Sequence, residues 1–199
     1  MSEIVKIYFI NINNLSNDYD KIPFIKAEDV IKVLKNENII KQKQAIASLY
    51  LKRKFIKDYY LDDNNKPRSN ELFFNISHSK DYVLIAISNS HEIGIDIEYK
   101  NNRNVEKLKN YICSEEELAF INNNDDFYKS WVSKESLFKC YGKGIITDLK
   151  SIDSLPFDGL KIHKGNNYYS HYFDYDNYAI SITLKNDNDF KYEINEEII

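Results

Sequence analysis

Apolar and polar residues alternate with a period of two in several short segments of the chain, a pattern typical of β-strands with one buried face. The first such segment is VKIYFINI, near the amino terminus. Three more follow between residues 71 and 99, separated by the polar turns HSK and NSHE: ELFFNIS, DYVLIAIS and IGIDIEY. The last part of the chain adds YYSHYFDY and NYAISITL. We therefore predict strands in both halves of the chain.

Two longer regions place apolar residues three to four positions apart and predict helices. The first runs from Glu28 to about Tyr59, with AIASLYLKRKFI as its most amphipathic stretch. The second opens with CSEEELAFI, where Ser114 and Glu117 have the spacing of a capping box, and continues through NDDFYKSWVSKESLFKCY. The polar segment LDDNNKPRSN after the first helical region predicts a loop. The chain thus runs twice from helix into strands.

The segment IGIDIEYK places two carboxylates on one face of a strand. Its three isoleucines alternate with Gly94, Asp96 and Glu98, so the isoleucines face a core and both acids face the other way. Such acids often lie on the solvated face of an edge strand. A glycine beside them also allows a ligand or another backbone to come close. Two like charges side by side indicate a bound cation.

A third carboxylate is available on the helix predicted for WVSKESLFKCYGKG. Glu135 and Lys139 are four residues apart, at the border of an aromatic stripe. Taken alone, this spacing is common for a surface pair. Beside Asp96 and Glu98, however, Glu135 would complete a Mg²⁺ site, because this ion is held by a few carboxylates, waters and substrate phosphates. Lys139 would then supply a positive charge for the phosphate itself.

Composition narrows the class of protein. The chain has 199 residues, 43% of them apolar and 29% charged, enough for one sizeable core or two small joined ones. Its formal net charge of −4 argues against a general nucleic-acid binder. No apolar run approaches the roughly 18 residues of a membrane span, and MSEIVKIYFI lacks a signal-peptide pattern. We therefore expect a cytoplasmic protein, with Cys113 and Cys140 as free thiols.

Three segments, in this order, closely resemble the signature segments of the 4′-phosphopantetheinyl transferases of the surfactin-synthetase-activating (Sfp) type: FNISHS, GIDIE and WVSKESLFKCYGKG. That family transfers the phosphopantetheine arm of coenzyme A to a serine of an acyl, peptidyl or aryl carrier protein, with Mg²⁺, and releases adenosine 3′,5′-bisphosphate. The resemblance implies an α+β monomer of two similar, pseudo-symmetric halves. A weak internal echo between DYVLIAIS and NYAISITL agrees with this. We predict halves at 1–90, binding coenzyme A, and 91–199, binding the metal and the carrier.

The resemblance also implies roles for single residues. Ser77 and His78 would contact the phosphates of coenzyme A, and Lys66 lies at the family's lysine-proline position near the nucleotide. Lys43 lies where an arginine is common, although it lacks the guanidinium fork, and Lys41 or Lys32 could serve instead. The carrier would dock after the helix predicted for WVSKESLFKCYGKG, on a patch comprising Lys143, Ile145, Ile146 and Lys150.

Taken together, these residues predict phosphoryl transfer by positioning and charge neutralisation. Mg²⁺ would be held by Asp96, Glu98 and Glu135, and Lys139 would offset charge on the leaving side. Glu135, directly or through a metal-bound water, is the candidate base for the serine proton. Two other classes remain open: a metal-dependent phosphodiesterase or nuclease, and a non-catalytic coenzyme A or carrier-binding protein. A nuclease is disfavoured because no basic, aromatic-interleaved surface is evident.

Overall fold

The computed structural model describes residues 3–64, 66–102, 104–142 and 149–199. Its α-helices and strands are, in chain order, β1 (Ile4–Asn11), α1 (Ala27–Val33), α2 (Ile39–Phe55), β2 (Tyr60–Leu61), β3 (Pro67–Arg68), β4 (Phe73–Ser79), β5 (Tyr82–Ser88), β6 (Ile93–Tyr99), α3 (Glu106–Ile112), α4 (Glu115–Leu118), α5 (Asn124–Tyr141), β7 (Gly159–His163), β8 (Asn166–Tyr175), β9 (Tyr178–Leu184) and β10 (Lys191–Glu196). In this part of the chain, no helix has the length and apolarity needed to span a membrane.

Most of the predicted elements are confirmed, and the differences have local causes. The first helical region is two helices, because the side chain of Asn38 accepts hydrogen bonds from the backbone of Ile40 and Lys41 and starts α2 afresh. The capping box of Ser114 and Glu117 is present at α4. The second helical region, however, begins earlier than predicted, with α3. The segment predicted as a loop contains the short antiparallel pair β2 and β3.

Two four-stranded sheets form the centre of the molecule. The first has the strand order β10-β1-β5-β4 and the second the order β6-β9-β8-β7. All strand pairs in them are antiparallel except β1 and β10, which run parallel. Strand β10 therefore returns from the carboxyl end of the chain to complete the first sheet. The division at residue 90 stays a prediction, and that residue lies in the bend between β5 and β6.

Alternation along the strands explains how the sheets stack. Leu84 and Ala86 of β5 pack with the isoleucines of β6 in a core between the two sheets. Val83 and Ile85, on the other face of β5, pack against α2. The second sheet is covered in the same way, since Phe127 and other apolar residues of α5 pack against β8 and β9. Each sheet thus carries one long helix on its outer face, and the predicted α+β fold class is confirmed.

Strands β4 and β6 lie side by side where the two sheets meet. The side-chain oxygen of Asn75 on β4 accepts a hydrogen bond of 3.1 Å from the backbone N–H of Ile95 on β6. Two further residues on the same face of β4, Ser77 and Ser79, also contact β6. This contact between edge strands of different sheets brings the FNISHS and GIDIE segments together.

Candidate active site

Gly94 explains how α5 reaches the acidic face of β6. A Cβ atom at this position would lie 2.0 Å from the carbonyl oxygen of Ser136 and 2.5 Å from the backbone nitrogen of Cys140. Both distances are impossible for a real side chain, so only glycine lets the backbone of α5 rest on the strand. The sequence predicted that a ligand or another backbone comes close to Gly94, and here it is the backbone of α5. It sets Glu135 and Lys139 beside Asp96 and Glu98.

Lys139, Asp96 and Ser77 form the centre of the site. The Lys139 ammonium lies 2.6 Å from Oδ1 of Asp96 and donates to Oγ of Ser77 at 2.9 Å. The Ser77 hydroxyl donates to the same carboxylate oxygen at 2.8 Å. These residues come from three elements, α5, β6 and β4, and from all three signature segments. The structure therefore brings together three of the predicted site residues.

A second contact of the same kind lies two residues further along both strands. The Ser79 hydroxyl donates to Oε2 of Glu98 at 2.9 Å, and Ser79 also accepts a hydrogen bond from the backbone of Tyr99 at 3.1 Å. Ser79 was not among the predicted site residues. Its spacing from Ser77 was the available signal, since residues two apart on a strand share a face.

Asp96, Glu98 and Glu135 are close enough to influence one another. Burial raises the pKa of Glu135 to about 7, and the charges of Asp96 and Glu98 add to this, while Lys139 acts in the opposite direction. Oδ2 of Asp96 is buried and has no hydrogen-bond partner in the described part of the chain, a condition shared only with the Ser133 hydroxyl. Buried polar atoms in proteins rarely lack a hydrogen-bond partner.

A divalent cation suits this set of groups. Carboxylate oxygens are the ligands Mg²⁺ prefers, and a cation would reduce the mutual repulsion and give Oδ2 of Asp96 a partner. Over residues 3–64, 66–102, 104–142 and 149–199, however, no three acidic, histidine or cysteine side chains have the geometry to hold one ion. The Lys139 ammonium lies on the other oxygen of Asp96. The metal site of Asp96, Glu98 and Glu135 therefore stays a prediction.

His78 borders the site from β4. Partial burial lowers the pKa of its imidazole, and the Lys139 ammonium adds to this effect. The ring is therefore neutral near pH 7 and can donate one hydrogen bond. Its role toward a phosphate stays a prediction.

The two other predicted cofactor-binding lysines make contacts elsewhere. Lys43 donates to the backbone carbonyl of Leu15 at 3.1 Å. Lys66 donates to the backbone carbonyl of Lys139 at 2.7 Å and lies 3.2 Å from the carboxylate of Glu92. Sequence reasoning missed Glu92, because nothing local indicates a partner 26 residues away along the chain.

The predicted carrier-binding patch cannot be described in full. Lys143, Ile145 and Ile146, with Gly144, lie outside the described residues. Lys150 is described and lies in a short turn that follows them.

Comparisons with known proteins agree with this arrangement of residues. Residues 92–183 match the model of the 4′-phosphopantetheinyl transferase superfamily. The chain is 33% identical over 96 residues, 44% of its length, to a Haemophilus influenzae protein with the provisional description 4′-phosphopantetheinyl transferase. It is 29% identical over 147 residues, 58% of its length, to the 4′-phosphopantetheinyl transferase gsp of Aneurinibacillus migulanus. Over 93 residues, 40% of its length, it is 31% identical to the L-aminoadipate-semialdehyde dehydrogenase-phosphopantetheinyl transferase of Xenopus laevis.

The matches cover less than two thirds of these relatives, namely 38%, 61% and 31% of their lengths. The superfamily match begins at Glu92 and ends at Thr183, so it contains β6, α5 and all of β9 but its last residue. It therefore includes Asp96, Glu98, Glu135 and Lys139 but not Ser77 or His78. The similarity to the 4′-phosphopantetheinyl transferase superfamily thus lies in residues 92–183, the part of the chain that carries these four residues.

Proposed function

We propose that this protein transfers the 4′-phosphopantetheine group of coenzyme A to a serine of a carrier protein and releases adenosine 3′,5′-bisphosphate. The observation that supports this best is the meeting of Lys139, Asp96 and Ser77 on three different elements, one from each signature segment. A cation, a carboxylate and a hydroxyl at one point are what a phosphoryl-transfer site requires.

The pyrophosphate of coenzyme A would lie against β4 and α5. Ser77 and His78 would donate hydrogen bonds to its oxygens, and the Lys139 ammonium would offset their charge. Lys43, or Lys41 or Lys32 in its place, would serve the 3′-phosphate, and Lys66 would lie near the nucleotide. These roles rest on the resemblance to the family.

Mg²⁺ would be held by Asp96, Glu98 and Glu135. When bound, it would neutralise charge on the pyrophosphate and orient the reacting phosphate. The buried, unpartnered Oδ2 of Asp96 supports this assignment. So does the effect of the two neighbouring acids on the pKa of Glu135.

The serine hydroxyl of the carrier would attack the phosphorus that bears the pantetheine arm. A new bond forms between the serine oxygen and phosphorus, and the bond from phosphorus to the bridging oxygen of the pyrophosphate breaks. Glu135 would accept the serine proton, since a carboxylate within reach of the attacking hydroxyl can serve as a general base. Lys139 would stabilise the negative charge left on the nucleotide.

The Sfp-type assignment, the monomeric state and the cytoplasmic location belong to the same proposal. The acceptor would be an acyl, peptidyl or aryl carrier protein from fatty-acid, polyketide or non-ribosomal peptide synthesis. Such a carrier would dock beside the end of α5, near Lys150. We expect neither nucleic acid nor a membrane among the partners.

Intact-protein mass spectrometry tests the activity directly. The protein is incubated with an apo carrier protein, coenzyme A and Mg²⁺, and the carrier should gain the mass of one phosphopantetheinyl group. The matched controls are the same carrier with its acceptor serine changed to alanine, and the same reaction with excess EDTA. Both should leave the carrier mass unchanged.

The same samples separate the other two classes. Hydrolysis of coenzyme A or of a nucleic acid without any change in carrier mass would indicate a phosphodiesterase or nuclease. Binding of coenzyme A in a calorimeter, with neither hydrolysis nor transfer, would indicate a non-catalytic binding protein. Either result would overturn the proposed transfer.

A further inference from the structure

The last turn of α5 is held from outside the helix. The final carbonyls of an α-helix have no partner within it, and the Lys66 ammonium donates to one of them, that of Lys139, at 2.7 Å. Asn64, in the same hairpin loop, donates to the carbonyl of Gly142 at 3.3 Å. A cation at this end of a helix is also favoured by the helix dipole. The loop between β2 and β3 therefore caps the helix that carries Lys139.

The same lysine is tied to the strand that carries Asp96. Its ammonium lies 3.2 Å from the carboxylate of Glu92, the residue immediately before β6. The backbone carbonyl of Glu92 accepts a hydrogen bond from the Cys140 thiol at 3.2 Å. Lys66 and Glu92 thus join the end of α5 to the beginning of β6. The contact of Lys139 with Asp96 depends on how those two elements are placed.

The charges around Lys66 are balanced. Arg68 also pairs with Glu92, and it lies 2.9 Å from the carboxylate of Asp62, so two cations face two anions. The Lys66 side chain is only 10% exposed, and burial lowers the pKa of its ammonium although Glu92 opposes this. A cluster without net charge attracts a phosphate weakly. Its contacts instead hold the end of α5 to the beginning of β6. We call this cluster the joint; it consists of Lys66, Arg68, Asp62 and Glu92.

We propose that Lys66 and Glu92 are positioning residues for Lys139, so that the ammonium of Lys66, although near the nucleotide, acts on the helix rather than on coenzyme A. The inference rests on the proposed function, because it concerns the group that would offset the charge on the leaving nucleotide. Glu92 makes the inference testable. The carboxylate of Glu92 would repel the phosphates of coenzyme A, yet it is required if the joint positions Lys139.

The test compares Glu92→Gln and Lys66→Met with the wild type. Transfer kinetics give kcat, calorimetry gives the Kd for coenzyme A, and hydrogen exchange reports protection of the last turn of α5. We expect both variants to lower kcat by about tenfold and to exchange about tenfold faster in that turn, since one hydrogen bond to a charged group is lost. The Kd for coenzyme A should change less than twofold in both, and Lys66→Arg should restore most of kcat.

A matched control is Lys54→Met, which removes a partly exposed ion pair with Glu197, a pair that includes neither Lys66 nor Glu92. It should change neither kcat nor the exchange at the end of α5. Asn64→Ala provides a milder second variant in case Glu92→Gln is unstable, and it should change the exchange in the same direction.

Three results would overturn the inference. The first is unchanged hydrogen exchange at the end of α5 in both Glu92→Gln and Asn64→Ala. The second is unchanged kcat in Glu92→Gln. The third is a Kd for coenzyme A at least tenfold weaker in Lys66→Met with kcat preserved. If the wild type transfers nothing, the proposed function fails, while the exchange experiment still decides whether the joint exists.

Discussion

Two lysines of α5, five residues apart, each pair with an acid, but the two pairs differ in almost every other respect. Lys134 lies 2.6 Å from Glu117, and their side chains are 0% and 2% exposed. Lys139 lies at the same distance from Asp96, but its side chain is 26% exposed. One pair is enclosed by the protein, and the other borders solvent.

The hydrogen bonds of the two pairs differ in how completely they satisfy each acid. The carboxylate of Glu117 also accepts from the backbone of Ser114 at 2.8 Å and of Ser154 at 2.7 Å. Lys134 donates to the carbonyls of Leu149 and Ile152. Around Asp96, by contrast, one oxygen receives both Lys139 and Ser77 and the other receives nothing within the described residues. A fully satisfied pair serves the fold, whereas an incompletely satisfied one has room for a ligand.

The largest expected effect is the difference in stability between a variant that lacks Lys134 and one that lacks Lys139. We expect Lys134→Met to reduce the free energy of unfolding by about 3–5 kcal/mol, because it leaves the Glu117 carboxylate buried without its cation. Lys139→Met should cost less, on the order of 1 kcal/mol, because its side chain is partly exposed and ion pairs that border solvent contribute little to stability. Urea unfolding followed by circular dichroism measures both.

A double variant checks the cause of that loss. Glu117→Leu combined with Lys134→Met should be more stable than Lys134→Met alone, because no uncompensated charge remains. Equal stability losses for Lys134→Met and Lys139→Met would show that the two pairs do not differ as described.

Asp96 of the solvent-bordering pair and its neighbour Glu135 should matter for transfer and little for the fold. We expect Glu135→Ala to reduce transfer by about 10²–10⁴-fold, the range for loss of a proton-transfer group, and Asp96→Ala nearly to abolish it through loss of the cation, while the unfolding midpoint stays close to that of the wild type in both. Asp96→Ala also removes one of the charges that raise the pKa of Glu135. Turnover like that of the wild type in either variant would exclude it from the active site.

His78 should contribute to cofactor binding more than to stability. If its ring donates to a phosphate of coenzyme A, His78→Ala loses a hydrogen bond to a charged group, worth about 1.5–3 kcal/mol, and binding should weaken by about one to two orders of magnitude. Titration calorimetry with coenzyme A measures this. Dephospho-coenzyme A, which lacks the 3′-phosphate, should bind the wild type more weakly. Unchanged affinity in both comparisons would remove the phosphate role.

The sequence predicts contacts within an element far better than contacts between elements. A period of two places Asp96 and Glu98 on one face of β6, and a spacing of four places Glu135 near Lys139 on α5. The contact of Ser77 with Asp96 joins edge strands of different sheets, and no local period encodes it. The parallel pairing of β10 with β1 is equally distant in the chain. Only the family resemblance indicated that the three segments meet.

The smallest effect concerns the pH dependence of stability in the metal-free protein. The pKa of Glu135 is raised to about 7 in the folded state, above its ordinary value of 4.5, because burial and Asp96 disfavour the charged form. The folded protein therefore binds more protons than the unfolded chain between these values. Its stability should fall as pH rises from about 4.5 to about 7, by on the order of 2 kcal/mol after allowance for the partial exposure of the group.

Glu135→Gln removes the titrating group, so the difference between its unfolding free energy and that of the wild type should change over this pH range and level off above about pH 8. The matched comparison is Glu117→Gln. There the loss of stability should be large at neutral pH, because its carboxylate is fully paired in the fold. Urea titrations of the three proteins in EDTA, at half-unit steps of pH, measure these differences. A difference for Glu135→Gln that does not change with pH would mean that the surroundings of Glu135 do not disfavour its charged form. The contrast between the two pairs would then rest on hydrogen bonding alone.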